Sequence, residues 1–367
     1  MPDRRTVLCA LSGAMVAAST NVLAAAPASD NAIRSLLGDE VDQLHISPGI
    51  VVGVLDSQGK RILAHGSDDS TAGKALDGDT VFDIGSLTKL FTALLITDMA
   101  ARGEMRLGDS IAKYLPADVH VPDFGGRTIT VQDLATYAPG LPDWPEDMAP
   151  LSAEKPFPDY SVMQLYASLS GRKLLLAPGT QYIYSNFGYG LLGVIAARHA
   201  GMDFESLVMS RICKPLGMES TRVALTPDLR LHATPGHDQK LARVRNWTLP
   251  ATFAAAGAFR STANDLLRFL EAAMAVKRTS LSAAFAEMLR VQRPADQPNT
   301  NAAAGWFVTR SHGDSLIWKD GGTLGYASFL GYSTVNHQGA VLLANAITGD
   351  LPDLGKHLLN TDFPPPR

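Results

Sequence analysis

The chain has 367 residues, of which 46% are hydrophobic and 19% charged, enough apolar material for a large buried core and the opposite of a disordered or fibrous composition. Its 32 basic and 36 acidic residues leave a net charge of −4 and a pI near 6.1, so there is no basic footprint for nucleic acid. Two cysteines, Cys9 and Cys213, build neither a disulfide scaffold nor a cysteine zinc site.

The first segment differs from the rest. Arg4 and Arg5 precede an uncharged stretch over residues 6–29 that is mostly apolar from Val7 to Ala18 and closes in Ala24-Ala25-Ala26-Pro27-Ala28. A positive start, a short apolar middle and small residues at a cleavage point predict an export signal over residues 1–26. The paired arginines also permit the twin-arginine route. A membrane anchor is the alternative, but Ser12, Gly13, Ser19, Thr20 and Asn21 dilute the run below spanning quality. Cleavage removes Cys9, leaves Cys213 without an internal partner, and gives a periplasmic chain with no membrane span.

Ile33, Leu36, Leu37, Val41 and Leu44 then recur at helical spacing and stop before Ser47-Pro48-Gly49. Residues 50–55 and 61–65 read as two strands of a hairpin around Ser57-Gln58-Gly59. A helix over residues 88–102 stops at Gly103, and Thr130 with Asp133 resembles a capping box. Six prolines from Pro139 to Pro158 mark an irregular loop, outside the core, of the kind that walls a binding site. Helices follow over residues 188–200, closed by Gly201, and 264–277, after a Ser261-Thr262 cap. Strand-like runs at 305–309, 316–319, 326–332 and 340–343 are predicted to pair with the first hairpin in one antiparallel sheet.

The chain lacks a G-x-S-x-G elbow, an H-E-x-x-H pair and a Walker loop. Nine histidines are scattered, with His232 and His237 the nearest pair and not at ligand spacing, so no metal is expected. Ser-x-x-Lys occurs four times: Ser57/Lys60, Ser86/Lys89, Ser152/Lys155 and Ser170/Lys173. Only Ser86 follows a strand-like run (residues 81–84) and heads a long apolar helix. Residues three apart share a helix face, so Lys89 reaches the Ser86 hydroxyl. Helix N–H groups and their partial charge sit beside that nucleophile. Burial of Lys89 favours a neutral amine able to accept a proton. The competing reading makes Ser86 an ordinary N-cap and Lys89 a surface lysine. Two more motifs weigh against it. Tyr184-Ser185-Asn186 offers a general acid–base and an amide for a substrate carbonyl or the lysine. Lys319-Asp320-Gly321-Gly322 offers positive charge and glycines that let a substrate strand approach the backbone.

With those residues in place the chain resembles the family of class C β-lactamases, D-alanyl-D-alanine peptidases and related serine esterases. Phe82-Asp83-Ile84-Gly85-Ser86-Leu87-Thr88-Lys89 is similar to its nucleophile motif, Tyr184-Ser185-Asn186 to its second and Lys319-Asp320-Gly321-Gly322-Thr323 to its third. Gly140-Leu141-Pro142 and Pro215-Leu216-Gly217-Met218 are similar to its connecting segments. The resemblance implies an α/β fold, an antiparallel sheet flanked by helices beside an all-helical lobe. The sheet lobe would comprise residues 27–85 and 250–367 and the helical lobe 86–249, with the site between them. It implies Ser86 as acylated nucleophile, Lys89 as its proton partner and Tyr184 as general base, first for acylation and then for the deacylating water. Which of Lys89 and Tyr184 takes the first proton stays open. Asn186 would orient the substrate amide, Lys319, Asp320 and Gly321 would line the substrate-binding edge, and the N–H groups of Ser86 and Gly322 would form the oxyanion hole. No metal or organic cofactor is required, and a monomer acting on a small molecule or a peptidoglycan peptide is expected.

Asp320 departs from the threonine or serine usual at its place. An ionised Asp320 facing the substrate would repel a carboxylate; turned away, it would pair with Lys319. The sequence therefore predicts an exported serine acyl-hydrolase of β-lactamase type. The alternatives are a D-alanyl-D-alanine carboxypeptidase or endopeptidase, a small-acyl carboxylesterase, and a penicillin-binding sensor without turnover.

Overall fold

The computed structural model describes residues 26–69, 73–148, 159–174, 176–246, 248–311 and 313–366. The expected export signal (all but Ala26), Cys9 and the Ser152/Lys155 pair lie outside the described residues.

Both ends of the chain feed one antiparallel sheet of eight strands. These are β1 (Gly49–Asp56), β2 (Gly59–Gly66), β3 (Arg293–Pro294), β4 (Thr300–Ala302), β5 (Phe307–Ser311), β6 (Asp314–Gly322), β7 (Ala327–Ser333) and β8 (Gly339–Ala344). Their order is β2-β1-β8-β7-β6-β5-β4-β3. The two halves join where β1 meets β8, with Gly53 opposite Val341. The expected pairing of the hairpin with the later strands is thus observed. Two strands were not expected: β3 and β4 are two and three residues long at the sheet edge, too short for alternation to register.

Strands β7 and β8 are buried at every position, so both faces of the sheet are covered. Helices α1 (Asp30–Gly38), α2 (Thr88–Ala101), α3 (Asn186–Ala200), α4 (Ala263–Ala273) and α5 (Leu351–Leu359) are the main partners of sheet and site. On one face, Gly53 leaves room for Leu267 of α4; on the other, Gly355 of α5 leaves room for Phe329 of β7. Leu266, Leu267 and Leu270 of α4 are fully buried, each worth about 1.5–3 kcal/mol relative to an exposed position. The helix ends at Ala273, four residues short of expectation, because Ala275 takes a left-handed backbone (φ 56°). Helix α2 is buried from Thr88 to Met99, the pattern of a helix threading a core rather than lying on it.

The proline-rich loop, over its described residues 139–148, is irregular as expected, but Leu141 is fully buried and belongs to the core. Among the described residues no helix is long and apolar enough to cross a membrane. Among them, too, no group of three or more His, Cys, Asp or Glu could hold a metal ion. Cys213 is buried with a free thiol.

Candidate active site

The site begins with the turn that delivers Ser86. A one-turn 3-10 helix, Gly85–Leu87, carries the chain from the short strand Phe82–Asp83 into α2. Gly85 has φ +49°, and a Cβ there would lie 2.5 Å from the Gly322 carbonyl, so only glycine lets this turn press on β6. Gly321 is equally constrained: its Cβ would run into the Ile84 carbonyl and come within 2.9 Å of the Ser86 nitrogen. Ser328 of β7 donates to the Ile84 carbonyl at 2.9 Å and pins the same turn. The Ser86 N–H is therefore held against Gly321-Gly322, the neighbourhood expected of an oxyanion hole.

Lys89 is the second residue of α2 and is fully buried, which removes its reading as a surface lysine. Ser86 is not an N-cap either, since no side chain caps α2. Lys89 Nζ lies 3.0 Å from Ser86 Oγ, 2.7 Å from Asn186 Oδ1 and 2.6 Å from the Ala256 carbonyl. Burial pushes its pKa well below the ordinary lysine value; the Lys319 charge adds to that, and Asp143 and Asp320 oppose it.

Tyr184 Oη donates to Ser86 Oγ at 2.6 Å. Burial drives the phenol pKa far up, against the Ser86 hydrogen bond, with the Asp320 and Asp143 charges adding to the rise. Burial and the two carboxylate charges thus favour the neutral phenol, which bears on its expected role as a base. Its ring stacks on Tyr137 at 5.4 Å between centroids, and the Nζ atoms of Lys89 and Lys319 sit 4.8 and 5.2 Å from its centre. Asn186 is the first residue of α3, whose N-cap Ser185 accepts from Gly188 N–H.

Two side chains completing this arrangement were not anticipated. Asp143 Oδ1 accepts from the Asn186 backbone N–H at 3.0 Å and from its Nδ2 at 2.8 Å. That contact fixes the amide with its oxygen toward Lys89 and occupies one of the two Nδ2 hydrogens expected to serve a substrate. Ser328 is the other. Asp143 directly follows Gly140-Leu141-Pro142, the one signal that could have pointed to it.

Lys319 and Asp320 lie where β6 outruns its neighbour. The β5 pairing ends at Phe307 opposite Trp318, so residues 319–322 present an open edge on that side. Lys319 is 2% exposed, and its ammonium donates to Asp320 Oδ1 at 3.0 Å. The two expected roles of Asp320 are not alternatives: it pairs with Lys319, and its side chain is still 41% exposed. Burial works against this carboxylate, but the Lys319 charge and hydrogen bond outweigh it and hold its pKa below the ordinary value. The other serines are elsewhere: Ser170 Oγ, at the end of a helix, accepts from His120 N–H, and Ser57 is in the β1–β2 turn.

The model of the family described as beta-lactamase matches residues 36–359. The beta-lactamase of Escherichia coli (strain K12) is 29% identical over 269 residues, 73% of this chain and 66% of that protein. The D-alanyl-D-alanine-carboxypeptidase/endopeptidase AmpH of the same organism is 30% identical over 273 residues, 72% of this chain and 67% of that protein. The chain thus spans about two thirds of the length of these relatives. The solved beta-lactamase/D-alanine carboxypeptidase of Pseudomonas syringae superposes with a TM-score of 0.74 at 24% identity, covering 85% of this chain and 93% of that one. That likeness bears out the expected fold class.

Proposed function

The chain belongs to the beta-lactamase family, and on that premise we propose that it is an exported serine hydrolase that passes an acyl group from an amide or ester to Ser86 and then to water. The observation that carries this reading is the Ser86 hydroxyl held between Lys89 Nζ at 3.0 Å and Tyr184 Oη at 2.6 Å. A neutral Lys89 amine has two N–H donors and one lone pair. The donors go to Asn186 Oδ1 and the Ala256 carbonyl, leaving the lone pair for the Ser86 proton.

On this reading Ser86 Oγ attacks the carbonyl carbon as its proton moves to Lys89. The oxyanion accepts from the N–H groups of Ser86 and Gly322. Tyr184, held protonated by burial, gives its proton to the leaving nitrogen or oxygen, and the tyrosinate is stabilised by the neighbouring ammonium groups. That tyrosinate then takes a proton from the deacylating water, and the Lys89 ammonium returns its proton to Ser86 as the acyl bond breaks. Protons balance over the cycle without a metal or cofactor.

A β-lactam amide is the first substrate candidate, and a D-alanyl peptide stands beside it because AmpH, a carboxypeptidase/endopeptidase, is as similar as the lactamase. A small-acyl ester is favoured by one observation, the Asp320 carboxylate already on Lys319. The same proposal includes export by residues 1–26, a periplasmic monomer, and a site between a sheet lobe (27–85 and 250–367) and a helical lobe (86–249). The test is turnover of a chromogenic cephalosporin, a D-Ala-D-Ala peptide and a p-nitrophenyl ester by one pure protein and its Ser86→Ala variant. Wild type is expected to turn over at least one, and the variant none, a loss of roughly a million-fold where the nucleophile acts within a unit. Activity retained by the variant, or a fluorescent penicillin moving to another serine, would overturn the assignment.

A further inference from the structure

We propose that the charge of this site disfavours anionic acyl groups relative to neutral or cationic ones, with Asp320 as the specificity-determining residue. The inference rests on the acyl-hydrolase reading and names its substrate class. The charged side chains that act on the reacting pair, Lys89 and Tyr184, are Lys319, Asp143 and Asp320. That is one ammonium against two carboxylates.

Lys319 is the cation a substrate anion would seek, and it is not available as one. It is nearly fully buried, and its ammonium is 3.0 Å from Asp320 Oδ1, whereas the Asp320 side chain is 41% exposed on the open edge of β6. An incoming carboxylate therefore meets the acid before the base. To reach Lys319 it must displace Asp320, or bind beside it and accept like-charge repulsion. Asp143, exposed at the Asn186 amide, adds a second negative charge. A neutral acyl chain meets neither obstacle, and an ammonium on the acyl chain is attracted by both carboxylates.

The pair also explains why Asp320 is tolerated. A lone buried ammonium would call for a partner, and Asp320 supplies it from the adjacent position, so the site is self-neutralised before substrate arrives. Threonine or serine at that position would leave Lys319 open to an external anion.

The experiment uses three p-nitrophenyl esters of matched length, a hexanoate, an adipate monoester and a 6-aminohexanoate, and reads first release of p-nitrophenolate so that slow deacylation does not hide acylation. Wild type is expected to acylate from the hexanoate and the aminohexanoate at least tenfold faster, in kcat/KM, than from the adipate. Asp320→Asn and Asp320→Thr should narrow the hexanoate-to-adipate ratio about tenfold, equivalent to about 1.4 kcal/mol. In wild type alone, salt raised from 0.01 to 0.5 M should shrink the same ratio through screening, a readout that survives if a variant fails to fold. Equal rates for the three esters, or a ratio unmoved by both salt and substitution, would overturn the charge selection. Labelling of Ser86 by a fluorophosphonate separates the two failures: without labelling and without release, the hydrolase reading fails; with labelling and without release from any ester, the substrate class proposed here is wrong.

Discussion

The two halves of this site are built to opposite rules. On the helical side, Ser86, Lys89, Tyr184 and Asn186 are tied to one another or to backbone, and Lys89 Nζ makes its three polar contacts inside the protein. On the strand side, Lys319 is buried and its ammonium is held by a half-exposed acid on an unpaired edge. Burial in the first region tunes proton affinity, since the low-dielectric surroundings disfavour ammonium and phenolate alike. Exposure in the second leaves charge facing whatever enters. The lesson is a division of labour: the proton-accepting Lys89 is shielded from solvent, and on the reading proposed above the edge beside it selects among substrates.

The strongest way to break that comparison is to remove the buried base. Lys89→Met should lower the acylation rate about a thousandfold, within the range for general acid–base groups, while circular dichroism stays native. Lys89 accepts a proton only when neutral, above its folded pKa, and burial has moved that pKa down. In wild type kcat/KM on a neutral ester should therefore rise with pH through the depressed pKa and level off well below the ordinary lysine range. The variant should lose that limb. A variant that keeps both the rate and the limb would assign the first proton to Tyr184 instead.

A smaller effect is expected where the two regions touch. Gly321→Ala puts a methyl against the Ile84 carbonyl and 2.9 Å from the Ser86 nitrogen. Both obstacles are backbone, so no rotamer relieves them, and the Ser86 turn must lift off β6. The expected loss is about a hundredfold in kcat, the scale of one oxyanion donor, with KM changed less. A Gly321→Ala enzyme of wild-type activity would show that the Ser86 turn does not need β6.

These contrasts also explain what was legible in the sequence. The hairpin, α2 and the later strands follow from apolar periodicity, and Ser86 stood apart from three other Ser-x-x-Lys pairs because it heads α2. Short-range spacing sufficed for Ser86 with Lys89 and for Lys319 with Asp320. It could not join Asp143 to Asn186 or Ser328 to Ile84, 43 and 244 positions apart, because such pairs are made by tertiary packing alone. The edge strands β3 and β4 escaped for another reason: two or three residues carry no period. The orientation of Asp320 was undecidable in principle, since both orientations fit the same residues and only the end of the β5 pairing leaves its edge open.

The finest test concerns Asp143, which touches neither Ser86 nor Lys89 but holds the amide that does. It acts in two separable ways. As an acceptor it fixes Asn186 with its oxygen toward Lys89; as a charge it raises the Lys89 pKa and so partly offsets burial. Asp143→Ala removes both. The freed amide should lower kcat/KM on a neutral ester several-fold, a loss near 1 kcal/mol, as expected for one partner of a hydrogen bond. Loss of the charge should move the acid limb of the pH profile to lower pH, because Lys89 then becomes neutral sooner as pH rises. A residue that merely braced the loop would reduce the rate without moving the limb. Asp143→Glu, which keeps the charge and stays within reach of the amide, should restore the limb to its wild-type position. A limb that stays fixed in Asp143→Ala would reduce Asp143 to loop packing and leave the tuning of Lys89 to burial, Lys319 and Asp320.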